Sequence, residues 1–395
     1  MAGTNDRETQ FCFSDHRLTG RDFLITLIAG TRPNFMKIAP IRRALDARRQ
    51  PVRLIHTGQH FDAQMSDVFF KDLGIPAPDV ALSSGGGSHA EQTASVIVGV
   101  EKDLLAHRPK AILVVGDVTS TLAAALAASK LQIPVIHVEA GLRSRDWTMP
   151  EEVNRILTDQ LSDLLLVPSR DAIPNLRAEG IPDERIVFVG NVMIDSLHRS
   201  RLTQTDALAR FELEKQGFAL VTLHRPANVD SKEALKATLI AVEAIAKRLP
   251  VLFPTHPRTT ARIEQLGLKA HLDGIKNLRP VPPLGYNDFV TLMADAKLIA
   301  TDSGGIQEES TALGVPCLTM REGTERPITV TEGTNIIVGM DAQKIAGEVD
   351  EILAGRGKGG RIPEGWDGRA ADRIADAIER FLAGTPKPKA DGPRA

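Results

Sequence analysis

The chain has 395 residues, 42% of them hydrophobic and only 4% aromatic, with 48 basic and 50 acidic side chains. That length holds two domains of about 150–200 residues each, packed with aliphatic rather than aromatic side chains. The balanced charge, with no basic stripe interleaved with aromatics, argues against nucleic acid as the main partner. No apolar run reaches the roughly 18 residues of a membrane span, and the two cysteines, Cys12 and Cys317, give no disulfide framework and fit a reducing, cytoplasmic setting.

Residues 1–21 are polar, carry charges of both signs and read as a flexible extension without a signal segment. After them, short apolar runs alternate with helix-like stretches. Strands are expected at Phe23–Ala29, Arg53–Thr57, Ala111–Val115, Val135–Val138, Leu164–Val167 and Ile186–Val189. Helices are expected at Phe61–Leu73, Ala90–His107, Ser120–Leu131, Glu151–Leu161 and Arg170–Glu179. Ser200–Gly217 is polar and charged and breaks the pattern, which puts a domain boundary near Leu202. The alternation resumes with strands Ala219–Leu223, Val251–Thr255, Asn277–Val281, Lys297–Thr301, Pro316–Met320 and Asn335–Gly339. The helices between them are Ser231–Leu249, Thr259–Leu266, Asn287–Asp295, Gly304–Leu313 and Ala342–Leu353. A loop with six glycines spans Gly355–Gly368, a closing helix follows over residues 370–383, and residues 384–395 read as a frayed tail. Repeated βαβ units imply an α/β protein with two doubly wound Rossmann-like domains, residues 22–201 and 202–369, and a central cleft. Ligands in such sheets bind beyond the carboxyl ends of the strands.

The residues at those ends carry the chemistry. Asp302-Ser303-Gly304-Gly305 ends an apolar run and opens a helix, so Ser303 can cap it and the glycines let a ligand approach. Unpaired N–H groups and the helix dipole make such a start a phosphate seat. Glu308 and Glu309 stand one turn in, where a carboxylate can accept hydroxyls of a sugar or ribose. The same segment also reads as an ordinary strand-to-helix turn. Gly30-Thr-Arg32-Pro-Asn-Phe-Met-Lys37 places Arg32 and Lys37 toward the cleft and lacks the dinucleotide fingerprint. Asp117 reads either as a helix cap or as a cleft carboxylate. Glu139 ends a buried strand and needs a partner, with Arg143 as the candidate, or a shifted pKa. Glu151 and Glu152 are equally explained by helix-dipole complementarity. His224-Arg225, His256-Pro257-Arg258 and Arg326 suit phosphate contacts. Acidic groups from one half facing a diphosphate clamp from the other describe an enzyme acting on a sugar nucleotide.

These blocks together resemble the non-hydrolysing UDP-N-acetylglucosamine 2-epimerases. The match runs in order through Gly30-Thr-Arg-Pro with Lys37, Thr57-Gly-Gln-His60, Gly116-Asp117 and His137-Val-Glu-Ala-Gly-Leu-Arg143. It continues through Pro150-Glu-Glu-Val-Asn-Arg155, His224-Arg225, Thr301-Asp-Ser-Gly-Gly-Ile-Gln-Glu-Glu309 and Thr324-Glu-Arg-Pro327. The resemblance implies a GT-B-like homodimer that interconverts UDP-GlcNAc and UDP-ManNAc without a metal or redox cofactor. It implies Asp117, Glu139 and Glu151 as acid/base carboxylates, with His224 and Arg155 in the catalytic set. Arg32, Lys37, His224, Phe289, Ser303, Gly304, Gly305, Glu309 and Arg326 would hold the UDP-sugar, and Gln59 and His60 belong to a possible activating second site. Two departures stand out: Asn34 and Ala227 occupy positions where many relatives carry Glu. An epimerase of a diacetamido uronic acid, a hydrolysing 2-epimerase and a GT-B glycosyltransferase are the alternatives.

Overall fold

The computed structural model describes residues 23–58, 73–82, 84–203, 205–255 and 257–384. Within them the apolar runs form two all-parallel sheets. The first holds β1 (Ile25–Ala29), β2 (Val52–His56), β3 (Val80–Ala81), β4 (Ala111–Val115), β5 (Val135–Val138), β6 (Leu164–Val167) and β7 (Ile186–Phe188), in the order β3-β2-β1-β4-β5-β6-β7. The second holds β8 (Ala219–Thr222), β9 (Val251–Pro254), β10 (Leu278–Val281), β11 (Leu298–Thr301), β12 (Cys317–Thr319) and β13 (Asn335–Ile337), in the order β10-β9-β8-β11-β12-β13. Each sheet starts in its middle, runs outward and then reverses, so β1 and β4, like β8 and β11, flank a switch point. The loops there diverge and open a crevice beyond the strand ends. β1, β4 and β5 are buried at every position, as strands covered on both faces must be.

The helices used below are α1 (Arg32–Ala47), α2 (His89–His107), α3 (Thr119–Lys130), α4 (Pro150–Leu161), α5 (Val192–Ser200), α6 (Lys232–Ala246), α7 (Tyr286–Asp295), α8 (Gly304–Leu313), α9 (Ala342–Leu353) and α10 (Ala370–Gly384). α2 and α3 cover the outer face of the first sheet, and α6 and α9 that of the second. A third core runs between the sheets and joins Ile38, Leu197, Leu220, Met293 and Ile378. The two lobes are therefore welded by apolar contact on one side, and the cleft opens on the other.

The expected doubly wound pair forms, with each expected strand within two residues of its place. Residues 61–72 of the helix expected at Phe61–Leu73, the extension over 1–21 and the tail beyond Gly384 lie outside the described residues. α1 and α5 were not expected, and the reason for α1 is Pro33 and Pro40. Pro33 sits in the first turn, where its fixed φ fits. Pro40 cannot return the N–H that Met36 C=O would accept one turn earlier, which ordinarily breaks a helix. Here the hydroxyl of Ser196 on α5 donates to that carbonyl instead. Lys37, three residues before Pro40 on the same helix, lines the cleft.

Ser196→Ala should therefore orphan the Met36 carbonyl and cost about 1–3 kcal/mol of unfolding free energy, read by guanidinium denaturation. Pro40→Ala restores a helical N–H and should recover most of that loss in the double variant. Additive losses would show that the hydroxyl does not stand in for the missing donor.

Candidate active site

A cleft of about 560 Å³ lies where the two switch points face each other. The first lobe contributes Lys37 from α1, Asp117 from the loop after β4, and Glu151 and Arg155 from α4. The second contributes His224 after β8, Phe289 from α7, Ser303, Gly304 and Gly305 at the start of α8, Glu309 within it, and Arg326. Glu139 lies immediately behind this wall. Arg32 begins α1, but its side chain lies outside the described residues, as do Gln59, His60 and His256.

Glu139 follows β5 with φ of +73°, a left-handed conformation rare for a residue with a Cβ. The turn sends its carboxylate into the interior, where it meets the Lys37 ammonium and, at 2.5 Å, Nη2 of Arg326 from the other lobe. Burial alone would raise its pKa, but Lys37 and Arg326 hold it below the usual carboxylate value. Arg143, the partner expected from the sequence, is engaged elsewhere. It donates to Asp159 at 2.7 Å and to Glu179 at 2.6 Å, and Asp159 also holds His137 at 2.6 Å. The left-handed turns at Glu139 and Gly141 point the two side chains apart, so four residues of separation make no pair.

Asp117 is not a cap. Val118 occupies the N-cap of α3, and Asp117 Oδ2 accepts from Arg155 Nε at 2.9 Å and Nη2 at 2.6 Å. Arg155 also donates to Glu152 at 2.6 Å. Glu152 accepts the backbone N–H groups of Ser144 and Arg145 and so fixes the loop before α4. Glu151 is left half-buried at the cleft wall.

In the second lobe Ser303 takes the N-cap position of α8, yet its hydroxyl makes no capping bond, so the expected capping role is not fulfilled by the side chain. The glycine after it is required by space. A Cβ on Gly304 would lie 2.6 Å from Arg326 Nη1 and 2.7 Å from Glu325 Oε1. Buried Asp302 accepts the backbone N–H groups of His224 at 3.1 Å and Arg225 at 2.9 Å and the Asn228 amide at 2.8 Å. Its Oδ1 lies 3.2 Å from His224 Nδ1. Burial works against its charge, but the His224 contact and these donors keep it below the ordinary carboxylate value. Asp302 thus orients the imidazole as the carboxylate of a His–Asp pair does.

Arg326 is the hub. Besides Glu139 it touches Glu325 Oε1 at 2.7 Å, and its Nε lies 2.7 Å from Glu308 Oε1. Glu325 is further neutralised by Arg321 at 2.7 Å and Arg225 at 3.4 Å. Glu309 accepts from the Tyr286 hydroxyl at 2.7 Å, and burial pushes its carboxyl up to about 7. Asp302, Glu325 and Tyr286 were not among the expected site residues, and the first two stand inside motifs that were. Arg225 lines the cleft as expected of a phosphate contact, whereas Glu308, expected as a hydroxyl acceptor, is not in the cleft lining and lies against Arg326. Among the described residues no group of three or more His, Cys, Asp or Glu side chains is placed to hold a metal ion.

Two Rossmann-type lobes, an anion seat at a helix start in one and a set of carboxylates in the other, define a GT-B-like enzyme of nucleotide sugars. The family model described as UDP-N-acetylglucosamine 2-epimerase matches residues 43–379. The UDP-N-acetylglucosamine 2-epimerase of Methanocaldococcus jannaschii is 41% identical over 357 residues, 89% of this chain and 97% of that protein. The UDP-2,3-diacetamido-2,3-dideoxy-D-glucuronate 2-epimerase of Pseudomonas aeruginosa is 42% identical over 367 residues, 90% of this chain and 99% of that one. The crystal structure of the M. jannaschii enzyme in complex with UDP-GlcNAc and UDP superposes with a TM-score of 0.84 and 40% identity, covering 90% of this chain and 99% of that one. The chain belongs to the UDP-N-acetylglucosamine 2-epimerase family and is a UDP-sugar 2-epimerase, an isomerase.

Gly304→Ala should displace the Arg326 guanidinium and weaken UDP binding by about tenfold or more, about 1.4 kcal/mol at least, in calorimetric titration. Unchanged affinity would show that the cation does not reach the diphosphate. Glu309, protonated more readily folded than unfolded, contributes stability that is present below about pH 4.5 and lost as pH rises toward 7. The thermal midpoint should fall across that window, and Glu309→Gln should flatten the fall.

Proposed function

We propose that this protein interconverts UDP-GlcNAc and UDP-ManNAc without hydrolysis, by loss of UDP, a 2-acetamidoglucal intermediate and re-addition. The observation that carries the reading is the opposition across one cleft of Asp117 and Glu151, with Glu139 just behind them on Arg326, to the Gly304–Gly305 helix start with His224 and Arg326. C2 of the sugar has no adjacent carbonyl, so its hydrogen is not acidic. Breaking the C1–O bond makes it removable. A carboxylate takes the C2 proton, the C–H electrons form the C1=C2 double bond, and UDP departs with the C1–O pair. Return of UDP with protonation on the opposite face inverts C2. The step needs at least two proton-handling groups, each worth roughly 10²–10⁴-fold, and cations at the departing diphosphate.

Glu139, fixed by Lys37, is one proton-handling group in this reading, and Asp117 or Glu151 is the other. Arg155 holds Asp117 in place. Ser303, Gly304, Gly305, His224, Arg326 and Arg32 seat the diphosphate, Phe289 and Glu309 the nucleoside, and Gln59 and His60 an activating second ligand. The reading divides the chain near residue 202, with α10 crossing back to pack on α1 and α5 of the first lobe. It also includes a cytoplasmic homodimer, on the strength of the family resemblance. Among the described residues no helix is long and apolar enough to cross a membrane.

A second reading, a UDP-2,3-diacetamido uronic acid as substrate, is favoured by the 42% identity to the P. aeruginosa enzyme. Incubation of each UDP-sugar in D₂O, followed by NMR, separates the possibilities. The expected result is the C2 epimer of UDP-GlcNAc carrying deuterium at C2, with no free sugar. Accumulating ManNAc and UDP would mean hydrolysis, and unlabelled UDP-GlcNAc would end this reading. Glu139→Gln should lose turnover by at least about 100-fold. It should bind UDP as tightly as the wild type or more so, because Lys37 and Arg326 lose a competing anion.

A further inference from the structure

Glu308 is a buried carboxyl that the mechanism does not use. It is 2% exposed on α8, is not part of the cleft lining, and its Oε2 has no hydrogen-bond partner among the described residues. The charged groups around it are Arg326, Glu139 and Lys37, with Glu309 next along the helix. Arg326 is its only cation at ion-pair distance among the described residues, and the guanidinium Nε is not aligned to hydrogen-bond it. The other two carboxylates on Arg326 have further support. Glu139 also holds Lys37, and Glu325 also holds Arg321 and Arg225.

Arg326 holds Glu139 and Glu308 at once. When Glu139 accepts the C2 proton, Arg326 loses one counter-charge, and the Glu308 carboxylate at ion-pair distance supplies the one that remains on this side of the guanidinium. We propose that Glu308 is a positioning residue for proton transfer at C2, carrying the counter-charge that keeps Arg326 in place while Glu139 changes protonation state. This rests on the assignment of Glu139 to C2 chemistry given above. Glu308 is not among the residues that line the cleft. Burial already pushes its carboxyl up to about 7, next to Arg326 and Glu139.

The test compares wild type, Glu308→Gln and Glu308→Asp as full chains. The readouts are kcat and KM for UDP-GlcNAc across pH 5.5–9, UDP affinity and thermal midpoint. A neutral amide removes a negative neighbour from Glu139. The acid limb of kcat should therefore move to lower pH, while kcat falls about tenfold or more and UDP affinity stays within about threefold. Glu308→Asp should regain part of kcat and of the limb. An unshifted profile with wild-type kcat would overturn the inference. So would loss of UDP binding together with a lowered midpoint, which marks a purely structural role. A wild type that exchanges no hydrogen at C2 would instead sink the functional reading beneath it.

Discussion

The contact on which the site depends is the one between Arg326 of the second lobe and Glu139 of the first. Neither residue reaches the other through its own sheet. Glu139 is aimed by a left-handed turn after β5, and Arg326 by a loop after β12 that packs against the side-chain-free surface of Gly304. A buried ion pair of this kind contributes little net stability, because desolvation offsets most of the attraction. Its consequence is positional. It brings a cation to the mouth of the α8 helix start and a carboxylate to the rear of the cleft, with one geometry serving both. The apolar core shared by α1, α5, α7 and α10 holds the lobes close enough for that geometry to exist.

The fold was legible because parallel strands buried on both faces read as plain apolar runs, and turns and helix starts bound them clearly. The places where the reading failed have local physical causes. α1 contains Pro40, and no local signal announces that a serine 156 positions later replaces the missing N–H. Much of the candidate cleft's lining was legible because ligands of such sheets bind beyond the strand ends, although several of its polar residues also had structural readings there. Partnership was not. Arg143 looked like the mate of Glu139 on grounds of proximity, and Asp117 read either as a cap or as a cleft carboxylate. Backbone direction settles both, since φ at Glu139, Gly141 and Gly116 decides where the side chains leave the strand. Glu308 and Glu309 look identical in the sequence, yet 100° of helical rotation sends one to a guanidinium and the other to a tyrosine hydroxyl.

The caged state of Arg326 also bears on how binding energy is used. A free guanidinium and ammonium at the seat would grip the diphosphate of substrate and product alike, and uniform grip does not speed the chemical step. Here the cations already have carboxylate partners, so the diphosphate gains only the difference between its own attraction and that of Glu139 and Glu308. That difference is smallest for the substrate, whose diphosphate is esterified at both ends. It grows as the C1–O bond stretches and a further negative charge develops on the departing oxygen. In the proposed reaction Glu139 and Glu308 therefore temper the grip on the bound substrate, and what the fixed cations favour in the transition state is the charge that develops on the departing oxygen in a low-dielectric interior.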